Sequence, residues 1–510
     1  MGTLPMQDEA VTRLAEALGL DPRDIPPPAS GRRHQEGTGI PAILAQTFIL
    51  NPLGGAIVEH WPDQAAGRRL MERHYGKAKQ GWDAKIGEVS ERFLTGEPIE
   101  FLSPLDNVCL PVEAELFGSR VRWLQWVVLR HAPLRFLILE ANTPVAIWYP
   151  ERNTLLALRD RTATLTLSLR QLLETLFGQP AAFLAWLDMA GRPTARRCFI
   201  LGEARPSHFM AQTLGFLERN LDRLVLPFLR EGHVLAILRD RSFLDPLRVF
   251  PALRDFAVLS VTIEQAPRLL RDLGLNCRLN DRRITNTTYG WVARLRREAE
   301  PDASRPVFGV LMSIDAERMR FDNQVVAFAA CLERLAREAA DEGASLTVYW
   351  DGWTIPSDHV PGQRDRTVCD RIASIAANIR AACAAPFEEV ALYGLAIEDK
   401  IRLAKDCRLA LATYGTATIL PTCALAVPTI TYHVAAVCNP AMLRSARYLD
   451  PDHAVALPPE AVTPVLPVEE QAHRQRFAVD IPVLLSVLDQ VLAGPSEASR
   501  AAAEERGEDT

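Results

Sequence analysis

Nine cysteines occur in 510 residues, yet no two form a C-x-x-C pair. Cys109, Cys198, Cys277, Cys331, Cys369, Cys383, Cys407, Cys423 and Cys438 are scattered, odd in number and mostly set in apolar runs. Zinc ribbons and disulfide frameworks lose their spacing signal, and buried free thiols in a reducing compartment fit better. No apolar run reaches the roughly 18–20 residues of a membrane-spanning helix. Met1 to Leu20 carries acids where a signal peptide has a basic and then an apolar stretch. A cytoplasmic chain without a transmembrane segment is expected, with peripheral membrane contact left open. Basic excess is missing too: 57 Lys plus Arg against 63 Asp plus Glu leave a net charge of −6, and no overall field draws the chain onto nucleic acid. G-x-G-x-x-G, G-x-x-x-x-G-K-[ST], H-E-x-x-H and G-x-S-x-G are all absent, which removes the usual support for dehydrogenase, P-loop, zincin and serine-hydrolase readings.

What is present is an ordinary globular composition, 48% hydrophobic and 24% charged, long enough for about three domains or two large ones. Residues 1–39 read as a short helix, striped by Val11, Leu14 and Leu18, followed by a Pro-, Gly- and charge-rich linker. Residues 40–170 read as an accessory region. It is helical to Gly96 and then an antiparallel β meander of RVRWLQWVVLR, LRFLILEAN, PVAIWYPERN and TATLTLSL.

From residue 171 to 300 strand and helix patterns alternate: ARRCFILG, SHFMAQTLGFLERNL, HVLAILRD, DPLRVFPALRD, FAVLSV, EQAPRLLRDLG. The alternation restarts after RLRREAEPDASR and runs through 301–492. VFGVLM, LTVYW, VALY, RLALAT and PTITYH are expected strands, and Val325, Phe328, Ala329, Leu332, Leu335 and Ala339 stripe the first helix. Residues 493–510 read as a frayed polar tail. The expected fold is therefore α/β, two Rossmann-like lobes facing a cleft, with a helical and β-rich N-terminal accessory region.

In open parallel sheets ligands meet the loops at the carboxyl ends of strands. The most informative such loop is TYGTAT. Gly415 permits a tight turn, and Thr416 and Thr418 can cap the next helix, so the amides of Tyr414, Gly415, Thr416, Ala417 and Thr418 suit a phosphate. An ordinary Thr-capped turn would look the same. Asp351 and Trp353 follow the second strand, and Tyr393 and Gly394 the third. An aromatic there can stack on a nucleobase or sugar, and amides near Gly394 can read a base edge. The only D-x-D, Asp450-Pro451-Asp452, is interrupted by proline and reads as a turn, so no metal site is expected.

The segment LALATYGTATILPTCALAVPTITYH, with its strand, turn, small-residue helix and Val-Pro before a further strand, resembles the nucleotide-sugar-binding half of GT-B glycosyltransferases. That resemblance covers Arg305 to His433 and implies a glycosyltransferase with a nucleotide-sugar donor and no cofactor or metal. The 171–300 region would be the acceptor lobe and 301–492 the donor lobe. The acid that many such enzymes place after the turn to hold the donor ribose has no counterpart between Thr413 and His433, which favours an inverting reaction.

The resemblance also implies a basic group on the leaving diphosphate. Arg318 or Arg320, in the loop SIDAERMRFDNQ, would serve, with Lys400 a second candidate. An inverting reaction needs a general base for the acceptor hydroxyl. His208 is the first candidate, with Ser207 as the expected helix cap beside it, and Glu203 and Asp188 are rivals. The acceptor would be a glycan, a lipid-linked sugar or a protein side chain. Two other readings share the architecture: a sugar-nucleotide epimerase or hydrolase, and a non-catalytic binding or scaffold protein in polysaccharide assembly.

Overall fold

A computed structural model describes residues 4–22, 48–50, 88–106, 108–118, 124–140, 143–158, 162–203, 205–280, 306–439, 442–443, 449–465 and 472–493. The expected hinge at 294–305, the 23–39 linker and the 494–510 tail lie outside them. The chain is a mixed α/β protein that divides into two compact units. One holds residues 1–204, 212–241 and 251–284; the other holds 205–211, 242–250 and 285–510.

In the first unit helix α1 (Leu4–Leu18) precedes a seven-stranded sheet. Its strands are β1 (Phe48–Leu50), β2 (Glu100–Ser103), β3 (Val108–Phe117), β4 (Leu124–Leu129), β5 (Arg135–Glu140), β6 (Thr143–Tyr149) and β7 (Thr154–Ala157), in the order β1-β7-β6-β5-β4-β3-β2. All neighbours are antiparallel except β1 and β7. The expected strand TATLTLSL is instead the start of helix α2 (Thr162–Gly178). Leu165, Leu169, Leu172, Leu173 and Leu176 are buried at helical spacing, and that stripe outweighs the local Thr–Leu alternation of period two. Helices α1, α2 and α3 (Pro180–Ala190) share one core with Leu116, Trp126, Phe136, Ile138 and Trp148 of the sheet.

A second sheet of the same unit comprises β8 (Arg197–Leu201), β9 (Val234–Leu238), β10 (Val258–Val261) and β11 (Asn276–Leu279), all parallel, in the order β10-β9-β8-β11. Its edge strand β11 was not foreseen in the sequence. Side chains cover that edge. Gln125 Nε2 donates to Cys277 O at 3.0 Å, Asn276 Oδ1 accepts from Glu115 N at 2.9 Å, and Arg278 Nη2 lies 2.6 Å from Glu115 Oε1. The Glu115 and Arg278 side chains are 0% and 2% exposed. This fully buried pair fastens one sheet to the other.

The second unit is built on a six-stranded parallel sheet of β12 (Val307–Ser313), β13 (Ser345–Asp351), β14 (Glu388–Ala391), β15 (Cys407–Thr413), β16 (Thr429–Tyr432) and β17 (Ala454–Ala456). The order β14-β13-β12-β15-β16-β17 is that of a doubly wound sheet, with its switch point between β12 and β15. β12 is buried along nearly its whole length, as a central strand covered on both faces should be. At Gly309 a Cβ would lie 2.4 Å from Asp406 O, so only glycine lets β15 approach, and the pairing register shifts at that residue.

Helix α4 (Gln324–Asp341) buries Ala327, Phe328, Cys331, Leu332, Leu335 and Ala339 on one face, each large side chain worth about 1.5–3 kcal/mol. Helix α5 (Gln363–Ala382) and helix α6 (Ile397–Leu403) follow β13 and β14. β14 ends two residues before the expected VALY strand does, because Leu392 N and Tyr393 N both turn onto Trp350 O.

Candidate functional site

The switch point lies between the loops that follow β12 and β15. After β12 the chain is stitched to its neighbour, Ile314 N donating to Asp351 O at 2.9 Å. Arg320 is then fixed from several sides. Its N and Nε donate to Asp315 Oδ2 at 3.1 and 3.0 Å, and its Nη1 donates to His473 O at 3.0 Å. Arg320 O accepts from Phe477 N at 2.8 Å, where β18 (Phe477–Val479) begins. Arg318 is exposed. Met319, between the two arginines, takes the left-handed conformation at φ 51°, uncommon for a residue with a Cβ and typical of ligand-bearing loops.

After β15 the turn takes its shape from Gly415 at φ 125°, ψ −139°, a region open only to glycine. Two of the amides expected to meet phosphate are already engaged, Tyr414 N with Tyr432 O and Thr418 N with Gly415 O, each at 3.1 Å. Thr418 Oγ1 donates to Gly415 O at 2.7 Å, so it closes the turn and does not cap a helix. Nor does a regular α-helix follow. Thr416–Thr418 forms a 3-10 turn and Leu420–Leu425 a π-helical stretch with Pro421 near its start. Thr416 Oγ1 lies 3.3 Å from Ser207 Oγ, within the same unit.

That contact brings the His208 segment to the turn. His208 ends the short helix Pro206–His208 and is half-buried. Ser207 does not cap this helix as expected. Arg205 holds the cap position, Pro206 fills the first turn, and the Ser207 hydroxyl is turned toward Thr416. Glu203 belongs to the other unit, where it follows β8, is buried and donates its N–H to Arg241 O at 2.9 Å. Asp188 sits on α3 with its side chain 71% exposed, paired with Arg192.

Lys400 differs most from its expected role. It is fully buried, and its Nζ donates to Asp351 Oδ1 at 2.5 Å, to Thr354 Oγ1 at 2.8 Å and to Trp353 O at 3.1 Å. Three protons meet three acceptors, which leaves none for phosphate. A carboxylate buried at the end of a strand, as Asp351 is at the end of β13, needs such a partner. Asp351 is thereby held in the interior and does not face a ligand.

Trp353 Nε1 donates to Asp365 Oδ1 at 2.8 Å, and the Arg364 guanidinium lies 5.3 Å from its ring centre. Burial raises the Asp365 carboxyl, but hydrogen bonds from His359, Trp353 and Gly362 outweigh it and hold the group below the usual carboxylate range. Gly394 N is taken by Trp353 O at 2.8 Å, so it cannot read a base edge. Tyr393 lines a groove of about 430 Å³ beside Arg380, Glu389 and the alanines of α5. Asp450-Pro451-Asp452 is a turn, Asp450 Oδ1 accepting from Asp452 N at 3.1 Å.

Sequence reading passed over three residues that meet Arg320: Asp315, His433 and His473. The only available signal was a polar residue at the end of each apolar strand, SID after β12 and YH after β16. His433 is buried, its ring centre lies 5.0 Å from that of Phe477 at a 42° tilt, and its Nε2 lies 3.4 Å from Arg320 Nη1. Burial first, and then Arg320, His473 and Arg318, push its imidazole down to about 3. It is thus neutral at physiological pH.

Among the described residues no group of three or more His, Cys, Asp or Glu could hold a metal, and no helix is long and apolar enough to cross a membrane. No family model and no curated protein matches the chain. Among solved structures it is similar to the ADP-heptose LPS heptosyltransferase II of E. coli, at 12% identity over 58% of this chain and 99% of that one, with a TM-score of 0.24.

Proposed function

We propose that the chain is an inverting glycosyltransferase of GT-B type that moves a sugar from a nucleotide-activated donor to a glycan, lipid-linked or protein acceptor without a metal. The supporting observation is the meeting, in one unit, of the Thr413–Thr418 turn at the switch point of a doubly wound sheet with the helical turn that carries His208. Arg320, with Arg318 beside it, supplies positive charge at the neighbouring strand end, where a leaving diphosphate gains most from a guanidinium fork.

In this reading His208 takes the proton of the acceptor hydroxyl as that oxygen attacks the anomeric carbon, and the bond to the diphosphate breaks on the opposite face. Arg320, held by Asp315, reaches the reaction already oriented.

Calorimetric titration with a panel of nucleoside diphosphates, followed by donor-consumption assays with and without acceptor, tests this reading. Binding, with consumption only when acceptor is present, supports transfer. Turnover of donor alone supports the epimerase or hydrolase, and no nucleotide binding supports the scaffold. His208→Ala should abolish turnover at nearly unchanged nucleotide affinity, and retained activity would remove His208 from the mechanism.

A further inference from the structure

His433 poses a hydrogen-bonding problem that the described residues leave unsolved. Its Nδ1 lies 2.8 Å from the backbone N of Val434, a group that can only donate. Nδ1 must accept, so the neutral ring carries its proton on Nε2. Yet Nε2 faces Arg320 Nη1 at 3.4 Å, and a guanidinium has no acceptor. Two donors therefore meet in a place where His433 is 1% exposed.

Neither group is free to turn away. Arg320 is held by Asp315 and His473 O, and the imidazole by Val434 N and the Phe477 ring. At this separation a single oxygen can sit about 2.8–3.0 Å from both nitrogens and accept from each. The local charge favours an anion: of the loop's carboxylates, Glu317 and Asp322 are paired with Arg364 and Arg476, Asp315 is paired with Arg320, and Arg318 adds its positive charge toward His433. The position is also apt: β12 and β16 flank β15, and Tyr414 N on Tyr432 O ties the Thr413–Thr418 turn to the residue before His433.

We propose that His433 and Arg320 together form a phosphoryl-oxygen site, in which the imidazole Nε2–H and the guanidinium Nη1–H donate to one non-bridging oxygen of the donor's diphosphate. The identity of the diphosphate rests on the glycosyltransferase reading; the oxyanion site rests on the paired donors. Because the imidazole is neutral, it acts by direction and not by charge, and it selects a tetrahedral oxyanion at a fixed place between two strand ends. His433 here is a binding residue with no proton to transfer.

The test uses the full chain with inorganic pyrophosphate as probe. In the wild type, 15N-labelled imidazole spectra should show the Nε2–H tautomer for one buried histidine, the signal that disappears in His433→Gln. That signal should shift when pyrophosphate is added. By calorimetry His433→Gln, which keeps an amide N–H near the Nε2 position, should bind pyrophosphate within about threefold of wild type, whereas His433→Leu should lose tenfold or more. An Nδ1–H tautomer, an imidazole signal indifferent to pyrophosphate, or a folded His433→Leu with unchanged affinity would each overturn the site. His433-dependent pyrophosphate binding without any consumption of nucleotide sugar would remove sugar transfer and keep the site. Sugar transfer that His433→Leu leaves untouched would do the reverse.

Discussion

Replacing Lys400 with methionine removes one charge from the interior of the second unit while nearly preserving the volume of the side chain. Asp351, 5% exposed at its side chain, would then keep a buried carboxylate with no cation, and the carbonyl of Trp353 and the hydroxyl of Thr354 would each lose a donor. Breaking a buried pair from one side costs about 3–5 kcal/mol. Adding Asp351→Asn removes the stranded charge, so the double variant should recover about 2–3 kcal/mol relative to the sum of the two single changes. Urea unfolding followed by tryptophan fluorescence measures all four corners of the cycle. A Lys400→Met loss below about 1 kcal/mol, or additivity within about 0.5 kcal/mol, would refute the assignment of Lys400 as an internal tie. The same variant separates tie from ligand. Since all three ammonium protons are engaged inside the protein, its pyrophosphate affinity should stay within about threefold of wild type, and a tenfold loss would return Lys400 to the phosphate.

Acid should destabilise the protein through two histidines held neutral, His433 at about 3 and His233 at about 4, the second by burial and then by Arg197 and Arg196. Below the ordinary histidine range near 6.5 the unfolded chain takes up protons that these folded rings refuse. Their stabilisation is thus complete above that pH and drains away as pH falls toward 4. For His433 the loss by pH 4.5 is on the order of 2–3 kcal/mol, so thermal scans from pH 7 to about 4.5 should show a shallower decline in His433→Gln than in wild type. Parallel slopes would mean that the ring is not held neutral. Gly415→Ala meets no atom within 4 Å but must hold a φ of 125°, and it should cost about 1–3 kcal/mol in urea midpoint through backbone strain alone. A cost below about 0.5 kcal/mol would show that the turn relaxes freely.

Strand existence in the second unit was legible because its central strands are buried on both faces and read as short apolar runs, VFGVLM and RLALAT among them. Helix α4 was legible from its stripe. The Thr–Leu alternation at residues 162–169 misled because a helix and a strand both satisfy it over so few residues, and only Leu172, Leu173 and Leu176 beyond it decide the period. The site was legible as a set of strand ends but not as a set of bonds. Lys400 and Asp351 are each unremarkable in sequence, 49 positions apart, and become partners only when β13 and α6 come together. Likewise Arg320 and His433 stand 113 positions apart, and nothing local marks the pair. Hydrogen-bond demand is a property of the assembled fold, and periodicity carries no record of it.

The Glu115–Arg278 seam sets how this protein can be taken apart. A fragment trimmed to begin just ahead of Arg197, meant to harvest the parallel half of the first unit, would bare the peptide groups of β11 on a sheet margin and uncover Cys277 and Leu279, which share a core with Phe117. Such a piece should aggregate during expression. Anyone dissecting the chain should therefore keep the meander and the β8–β11 layer in one polypeptide.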